Sequence, residues 1–180
     1  MNALVAVAHG SESLETVTIV NILRRAEVAV TVASIETTLT VEATRGITLT
    51  ADVRFADVGS QEFGLIVLPG GEKGAQALSA HAPLVEKLKE QRLAHRWTGA
   101  ICAAPALVLS KHGLLDGKKA TCYPAFREQL LHWVDLPVVV DGHCITSQGP
   151  ATAVAFGLQL VEQLCGADRR KAVAQALLAT

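Results

Sequence analysis

The amino-acid sequence predicts an α/β fold in which a doubly wound, mostly parallel sheet carries helices on both faces. Short β-rich runs alternate with helical patterns along the whole chain, which is the order typical of this fold. The run at residues 64–68 is apolar and uninterrupted, as strands buried on both faces are. The chain has 180 residues, half of them hydrophobic, so we expect residues 1–180 to form a single domain around one core.

The predicted strands are short and end at glycine, proline or polar residues. The core strands are expected at residues 3–8, 29–35, 64–68 and 98–101. Small peripheral strands are expected between residues 38 and 58, and residues 138–140 and 144–146 should form a hairpin. The core strands at residues 3–8, 64–68 and 98–101 are each followed by a helical pattern, which predicts that they run parallel.

Helices are predicted wherever apolar residues recur with a period near 3.6. In chain order they cover residues 14–26, 75–80, 82–92, 103–111, 126–131, 151–164 and 169–178. Ser13 is the predicted N-cap of the first helix, in which Leu14, Val17 and Val20 share one face. This helix carries more apolar surface than one face of a sheet needs, which indicates a partner surface.

Composition excludes several classes of function. The formal net charge is −1 and the sixteen Lys and Arg residues are scattered, so no specific nucleic-acid site is expected. The apolar run at residues 3–8 is too short for a membrane span or a leader. The six histidines lack ligand spacing and the four cysteines form no C-x-x-C pair. We therefore expect free thiols in a cytoplasmic protein without a membrane contact, metal or cofactor.

The segment T-G-A-I-C-A-A-P places Cys102 where an apolar strand turns directly into a helix with Pro105 in its first turn. This arrangement is typical of a nucleophile elbow, which exposes its side chain at the carboxyl edge of a sheet. The positive end of the helix dipole should lower the pKa of the Cys102 thiol and make it reactive. The alternative is a buried core cysteine.

The segment L-P-G-G-E-K-G follows the core strand at residues 64–68. Gly70 and Gly71 can turn their backbone amides toward an anion, but the spacing matches neither a P-loop nor a dinucleotide fingerprint. The alternative is an ordinary turn between strand and helix.

Glu15 lies one residue into the first helix, near the end of the first strand. A carboxyl group facing the sheet edge would be desolvated, which raises its pKa, and a protonated Glu15 could then donate a hydrogen bond to the Cys102 thiolate. The alternative is a surface residue that stabilises the helix dipole.

Taken together, the segments A-H-G-S-E-S-L-E-T-V, V-L-P-G-G-E-K-G-A, A-I-C-A-A-P and T-S-Q-G-P-A-T resemble the ThiJ/PfpI superfamily. Within it they are most similar to the branch of DJ-1-like and YajL-like proteins, and the similarity covers nearly the whole chain. The resemblance implies a flavodoxin-like domain that forms a homodimer, with Arg25 and Arg45 near the dimer contact.

The resemblance also implies roles around the cysteine. Cys102 matches the oxidisable cysteine of the family, and Glu15 matches its acidic partner. The amides of Gly71 and Ala103 match those that line the anion pocket. Tyr123 and Pro150 match residues that border this pocket, Tyr123 at a place where some relatives carry a histidine.

The resulting hypothesis is a cysteine-dependent, cofactor-free deglycase or glyoxalase that acts on methylglyoxal or its early adducts on proteins and is linked to oxidative-stress protection. The alternative is a redox-responsive chaperone or sensor in which Cys102 is oxidised to a sulfinate without substrate turnover. A glutamine-amidotransferase-like hydrolase is disfavoured because no histidine pairs recognisably with the cysteine. Peptidase activity is not expected, because Ala103 stands where the protease-like branch has its histidine.

Overall fold

The computed structural model describes residues 1–179 and confirms the predicted fold class. One seven-stranded sheet runs in the order β5-β2-β1-β6-β7-β9-β8. Its strands are β1 (Asn2–Val7), β2 (Ala29–Ser34), β5 (Val53–Arg54), β6 (Leu65–Leu68), β7 (Trp97–Ile101), β8 (Val138–Asp141) and β9 (Cys144–Ser147). A separate hairpin consists of β3 (Thr40–Glu42) and β4 (Thr48–Thr50), so the region between residues 38 and 58 does hold short peripheral strands.

The sheet brings three strand ends to one edge. All its pairs are parallel except β8 with β9, which form the predicted antiparallel hairpin. From β1 the chain first moves to β2 on one side and later to β6 and β7 on the other. Ligands bind at such a switch point, outside the carboxyl ends of the strands. The segments that follow β1, β6 and β7 carry Glu15, Gly70 and Cys102 respectively.

Helices cover both faces of the sheet. They are α1 (Ser13–Arg25), α2 (Phe55–Val58), α3 (Glu72–Ala80), α4 (Ala82–Leu93), α5 (Ala153–Cys165) and α6 (Ala167–Ala176). Shorter 3₁₀ turns cover Thr44–Gly46, Pro124–Gln129 and Pro150–Thr152, and a π-helix covers Pro105–Ser110. Helix α1 packs against α5, and α3 packs against the π-helix. Within residues 1–179 no helix is long and apolar enough to cross a membrane.

Two predicted α-helices have a different winding. The helix expected at residues 103–111 begins with a regular bond from the Leu107 amide to the Ala103 carbonyl and then widens, so that the Lys111 amide bonds to the Ala106 carbonyl. Such π-turns are rare and often lie beside functional sites. The helix expected at residues 126–131 is a 3₁₀ helix that begins earlier, at Pro124, and ends before Leu130, which is extended.

Helix α1 differs from the prediction at its cap and its exposed face. The Glu12 carboxylate accepts a hydrogen bond from the Glu15 amide at 2.7 Å and caps the helix, because its longer side chain reaches back over the first turn. Ser13, the predicted cap, faces Thr44 instead. Leu14 and Val17 are about half exposed, at 52% and 53%, whereas the opposite face is buried against the core. Of the apolar face predicted from the sequence, Leu14 and Val17 therefore point outward in the monomer, whereas Val20 is partly buried against the core.

Candidate active site

Cys102 lies on a sharp turn directly after β7. Its φ of 62° is in the left-handed region, which non-glycine residues rarely adopt. Two backbone hydrogen bonds hold this conformation: the Cys102 amide donates to the Ser147 carbonyl at 2.9 Å, and its carbonyl accepts from the Tyr123 amide at 2.8 Å. Backbone strain that is fixed by its surroundings is typical of functional sites.

The two glycines after β6 allow the chain to pass directly beside the cysteine. A Cβ atom on Gly70 would collide with the Cβ of Cys102 and lie 2.9 Å from its sulfur, so only glycine fits. Gly71 has a φ of 79°, and its amide, together with the amide of Ala103, lowers the pKa of the Cys102 thiol by favouring negative charge on the sulfur. Two backbone donors from different loops therefore lie near the sulfur.

The Gly70 amide has another partner than the predicted anion. It donates to Glu15 Oε2 at 2.7 Å. This bond fixes the carboxyl group above the strand ends and removes Gly70 from the set of free donors. The amides available for an anion at the sulfur are those of Gly71 and Ala103.

Glu15 is completely buried, and its carboxyl group lies beside the Cys102 thiol, since a Cβ on Gly70 would be 2.8 Å from Glu15 Oε2 and 2.9 Å from the Cys102 sulfur. Burial raises the pKa of Glu15 to about 7, helped by the charge of Glu12 and opposed by the Gly70 amide. Glu15 Oε1 has no hydrogen-bond partner among the described residues. A buried oxygen without a partner is costly when charged, which favours the protonated carboxyl.

The Cys102 thiol differs from the sequence-based expectation of a low pKa and an open side chain. Only 8% of the residue is exposed, and burial and the nearby Glu15 charge raise the pKa of Cys102 to about 12, whereas the Gly71 and Ala103 amides lower it. The helix dipole was expected to dominate, but desolvation outweighs it here.

The two groups titrate as a pair. A thiolate beside a protonated carboxyl carries the same total charge as a thiol beside a carboxylate, so a proton can pass between them without a change in net charge. The first proton leaves this pair near pH 7, at the raised pKa of Glu15. The pair thus supplies a nucleophile and a proton acceptor at one point, beside two oxyanion donors.

Glu12 is a second carboxylate at the site that the sequence-based prediction missed. Its amide donates to the Gly70 carbonyl at 2.9 Å, and its Oε1 accepts from the Thr44 hydroxyl at 3.0 Å. It thereby ties the start of α1 to the glycine loop. The three-residue spacing between Glu12 and Glu15 at a helix start was the available signal.

The predicted pocket residues lie near Cys102 but are less intimately involved. Tyr123 is 45% exposed and is tied to Cys102 through its backbone amide. Its ring lies against Gly149, since a Cβ there would be 3.4 Å from the ring, and Pro150 begins the next 3₁₀ turn. The structure thus places Tyr123 next to the turn at Cys102, and Pro150 directly after the glycine that its ring contacts.

Arg25 and Arg45 lie on the surface. Arg25 is exposed at the end of α1 and bonds to Asn21 at 2.8 Å. Arg45 is exposed with a left-handed φ of 63° in the turn Thr44–Gly46. In residues 1–179 no cluster of three His, Cys, Asp or Glu side chains could hold a metal ion.

Comparison with known proteins gives one consistent result. The sequence model of the DJ-1/PfpI family matches residues 1–163. The chain is 44% identical over 179 residues to Protein DJ-1 homolog A of Arabidopsis thaliana, covering 97% of this chain and 46% of that protein. It thus spans about half the length of that relative. It is also 35% identical over 132 residues to the glutathione-independent glyoxalase DJ-1 of Schizosaccharomyces pombe, covering 70% of this chain and 68% of that one.

Solved structures agree with this similarity. The oxidized DJ-1 of Toxoplasma gondii superposes with a TM-score of 0.97 at 40% identity, covering 98% of this chain and 97% of that one. The DJ-1beta of Drosophila melanogaster superposes with a TM-score of 0.96 at 38% identity, covering 99% and 98%.

Proposed function

The chain belongs to the DJ-1/PfpI family, and from this premise we propose that it is a cysteine-dependent, cofactor-free enzyme of the glyoxalase or deglycase type. Its substrate is methylglyoxal or an early adduct of methylglyoxal on proteins. The observation that carries the proposal is the contact of Glu15 with Cys102 beside the amides of Gly71 and Ala103. The name of the S. pombe relative, a glutathione-independent glyoxalase, supports the same chemistry.

The first step is addition of sulfur to the aldehyde carbon. Glu15 takes the Cys102 proton, the thiolate forms a carbon–sulfur bond, and the carbonyl oxygen becomes an alkoxide that the Gly71 and Ala103 amides hold. Protonation of this oxygen gives a hemithioacetal. Only a small carbonyl fits, because 8% of Cys102 is exposed.

The second step moves a proton between neighbouring carbons. Glu15 removes the proton from the former aldehyde carbon, giving an enediol, and a proton returns to the adjacent carbon. The product is a lactate thioester on Cys102, which water hydrolyses to lactate and the free thiol. One carbon is oxidised as its neighbour is reduced, so the sequence needs water but no external oxidant or reductant.

Lactate formation in D₂O tests this proposal. Wild-type protein incubated with methylglyoxal should release many equivalents of lactate per chain, and NMR should find deuterium on the carbon that bears the hydroxyl group. Release of at most one equivalent would contradict an enzyme. Lactate without this deuterium would contradict the enediol route with solvent exchange.

A second candidate is the redox sensor, which two observations favour. The Gly71 and Ala103 amides could hold the oxygens of a sulfinate on Cys102. The solved structure of the T. gondii relative is also that of an oxidized DJ-1. Under this alternative, mild peroxide adds two oxygens to Cys102 while methylglyoxal is not turned over.

We also propose that residues 1–180 form one domain and that the protein is a cytoplasmic homodimer. A single sheet and core join elements from β1 to α6, and all four cysteines are unpaired, as in a reducing compartment. The exposed Leu14 and Val17 support a self-association surface on α1, in which Arg25 would take part and which Arg45 would border. Light scattering at micromolar concentration should give twice the 18.9 kDa chain mass, and a monomer alone would refute the dimer.

A further inference from the structure

A second cavity opens at the amino edge of the sheet, opposite Cys102. It lies between the end of α4 and the starts of β7 and β9, and its volume is about 330 Å³. Its polar lining includes Arg92, Arg96, Lys118, His95, His143 and Cys144. A volume at the lower end of the range of ligand pockets suits a small molecule rather than a protein or nucleic-acid segment.

The lining is rich in positive charge. Arg92, Arg96 and Lys118 are cationic, and Asp116 is the single acidic residue that lines the cavity within residues 1–179. Arg96 is paired with Glu62 at 3.1 Å and Arg92 donates to the Gly113 carbonyl. Among residues 1–179 the Lys118 ammonium has one hydrogen-bond partner, the Asp141 carbonyl at 3.5 Å, which is the limit of a hydrogen bond. Lys118 thus has donors left for a ligand.

Cys144 shows that this charge acts inside the cavity. It is 7% exposed, and burial and the charge of Asp141 raise the pKa of Cys144 to about 12, whereas the charges of Lys118 and Arg92 lower it. The rings of His95 and His143 lie 5.7 Å apart and form one wall. The buried part of the lining consists of the apolar side chains of Leu88, Leu109 and Leu114 together with Thr98 and Cys144.

We propose that this cavity binds a small organic anion in which a phosphate or carboxylate group is attached to an apolar body. Lys118 contacts the anionic group, with Arg92 adding charge, and the leucines contact the apolar part. Such a ligand matches both parts of the lining, because its anionic group contacts the cations and its apolar body contacts the leucines. A ligand with only one of these two parts would leave the other part of the lining without a partner. The site is separate from Cys102 and does not depend on the function proposed for it.

Calorimetric titration of the full chain with phenyl phosphate, benzoate and phenol tests the proposal. Phenyl phosphate or benzoate should bind, and phenol should bind at least about tenfold more weakly, because charge-assisted hydrogen bonds contribute most to such contacts. The stronger of the two anions identifies the preferred anionic group. Equal affinity for phenol, or no binding of either anion, would overturn the proposal.

Variants place the binding in this cavity. Lys118→Gln should weaken the better anion at least about tenfold. Lys118→Arg should restore binding, and Lys119→Gln, which removes the same charge from a neighbouring exposed residue outside the cavity, should leave it unchanged.

In a Cys102→Ser background the anion should also slow alkylation of Cys144. Equal affinity of the Lys118→Gln and Lys119→Gln variants, or no protection of Cys144, would place binding elsewhere. Methylglyoxal turnover of Lys118→Gln should match the wild type, so the two proposals fail independently.

Discussion

The two edges of the sheet carry cysteines that are buried to the same degree but differ in the charged groups around them. Cys102 follows the end of β7 and is 8% exposed, whereas Cys144 begins β9 and is 7% exposed. Burial raises the pKa of each thiol to about 12. Cys102 lies beside the carboxyl group of Glu15, whereas Cys144 lies near the positive charges of Lys118 and Arg92 and the negative charge of Asp141.

Burial and nearby charge alone do not make a cysteine reactive. The cations near Cys144 favour its thiolate, yet no base is in hydrogen-bond contact with its sulfur among the described residues. Cys102 has a less favourable charge beside it. In the proposed reaction, however, Glu15 accepts its proton directly, and the amides of Gly71 and Ala103 stabilise the negative charge that develops. We infer that the proton acceptor separates a nucleophile from a merely buried thiol.

The largest expected difference is in turnover. Cys102→Ser should reduce kcat for methylglyoxal at least about 1,000-fold, because a serine hydroxyl is a far weaker nucleophile at neutral pH. Cys144→Ser should stay within about twofold of the wild type. Steady-state lactate release from both variants measures this, and a comparable loss in both would mean that the two edges do not differ as proposed.

Removing the proton acceptor at Glu15 should make Cys102 resemble Cys144. Glu15→Gln keeps the shape but cannot take a proton, so kcat should fall about 100-fold or more. The pH midpoint of Cys102 alkylation should rise from about 7 by at least about one pH unit, because the first proton then leaves a thiol whose pKa is raised by burial.

The matched control for this experiment is Glu72→Gln, which removes an exposed carboxylate one residue after Gly71. Its alkylation midpoint should stay near that of the wild type. An unchanged or lower midpoint for Glu15→Gln would mean that Glu15 only repels the thiolate.

Peroxide should also distinguish the two edges. Peroxide attacks thiolates, and Cys102, unlike Cys144, has Glu15 beside it to take its proton, so Cys102 should be oxidised at least about tenfold faster than Cys144. The product should pause at the sulfinate that the Gly71 and Ala103 amides can bind. Peptide mass spectrometry after dilute peroxide at pH 8 should find two added oxygens on the Cys102 peptide. Equal oxidation of the two cysteines would remove the chemical basis of the enzyme and of the sensor.

The smallest expected effect is on stability. The unfolded chain loses the Glu15 proton near pH 4.5, whereas the folded protein keeps it until about pH 7. Stability from this group is therefore present in full below pH 4.5 and is lost as the pH rises through 7, by about 3 kcal/mol in total. Thermal unfolding at pH 5 and pH 8 should show the wild type losing about 6 °C more than Glu15→Gln. Identical pH slopes would show that Glu15 is ionised without cost.

Most of the fold could be predicted from the sequence because local signals and global topology agree. Apolar runs such as residues 64–68 and the glycines and prolines that end them predict the strands. The hydrogen-bond pattern of the helices and the direction in which their apolar faces point were less predictable. The π-turn after Pro105 and the outward face of Leu14 and Val17 depend on what packs against them, which periodicity does not record.

The candidate site divides in the same way. The position of Cys102 after a strand and of Glu15 above the sheet edge follows from the order of elements. The Gly70 amide bonded to Glu15 and the Glu12 cap depend on tertiary distances, as does the degree of burial that raises the Cys102 pKa. The cavity at Cys144 joins residues from α4, β9 and the loop after the π-helix, so no local segment announces it.

The turn at Cys102 has one more consequence, for how the protein can respond to a group attached to the sulfur. Its amide is bonded to Ser147 at the end of β9 and its carbonyl to Tyr123 before a 3₁₀ turn, and Gly70 lies too close to allow the turn to shift. The backbone at Cys102 is therefore rigid. The steric strain from an adduct too large for its surroundings cannot be relieved by a local movement of the backbone. Bulky modifications of Cys102 should loosen the fold as a whole, so that the melting temperature of the modified protein becomes a gauge of adduct size.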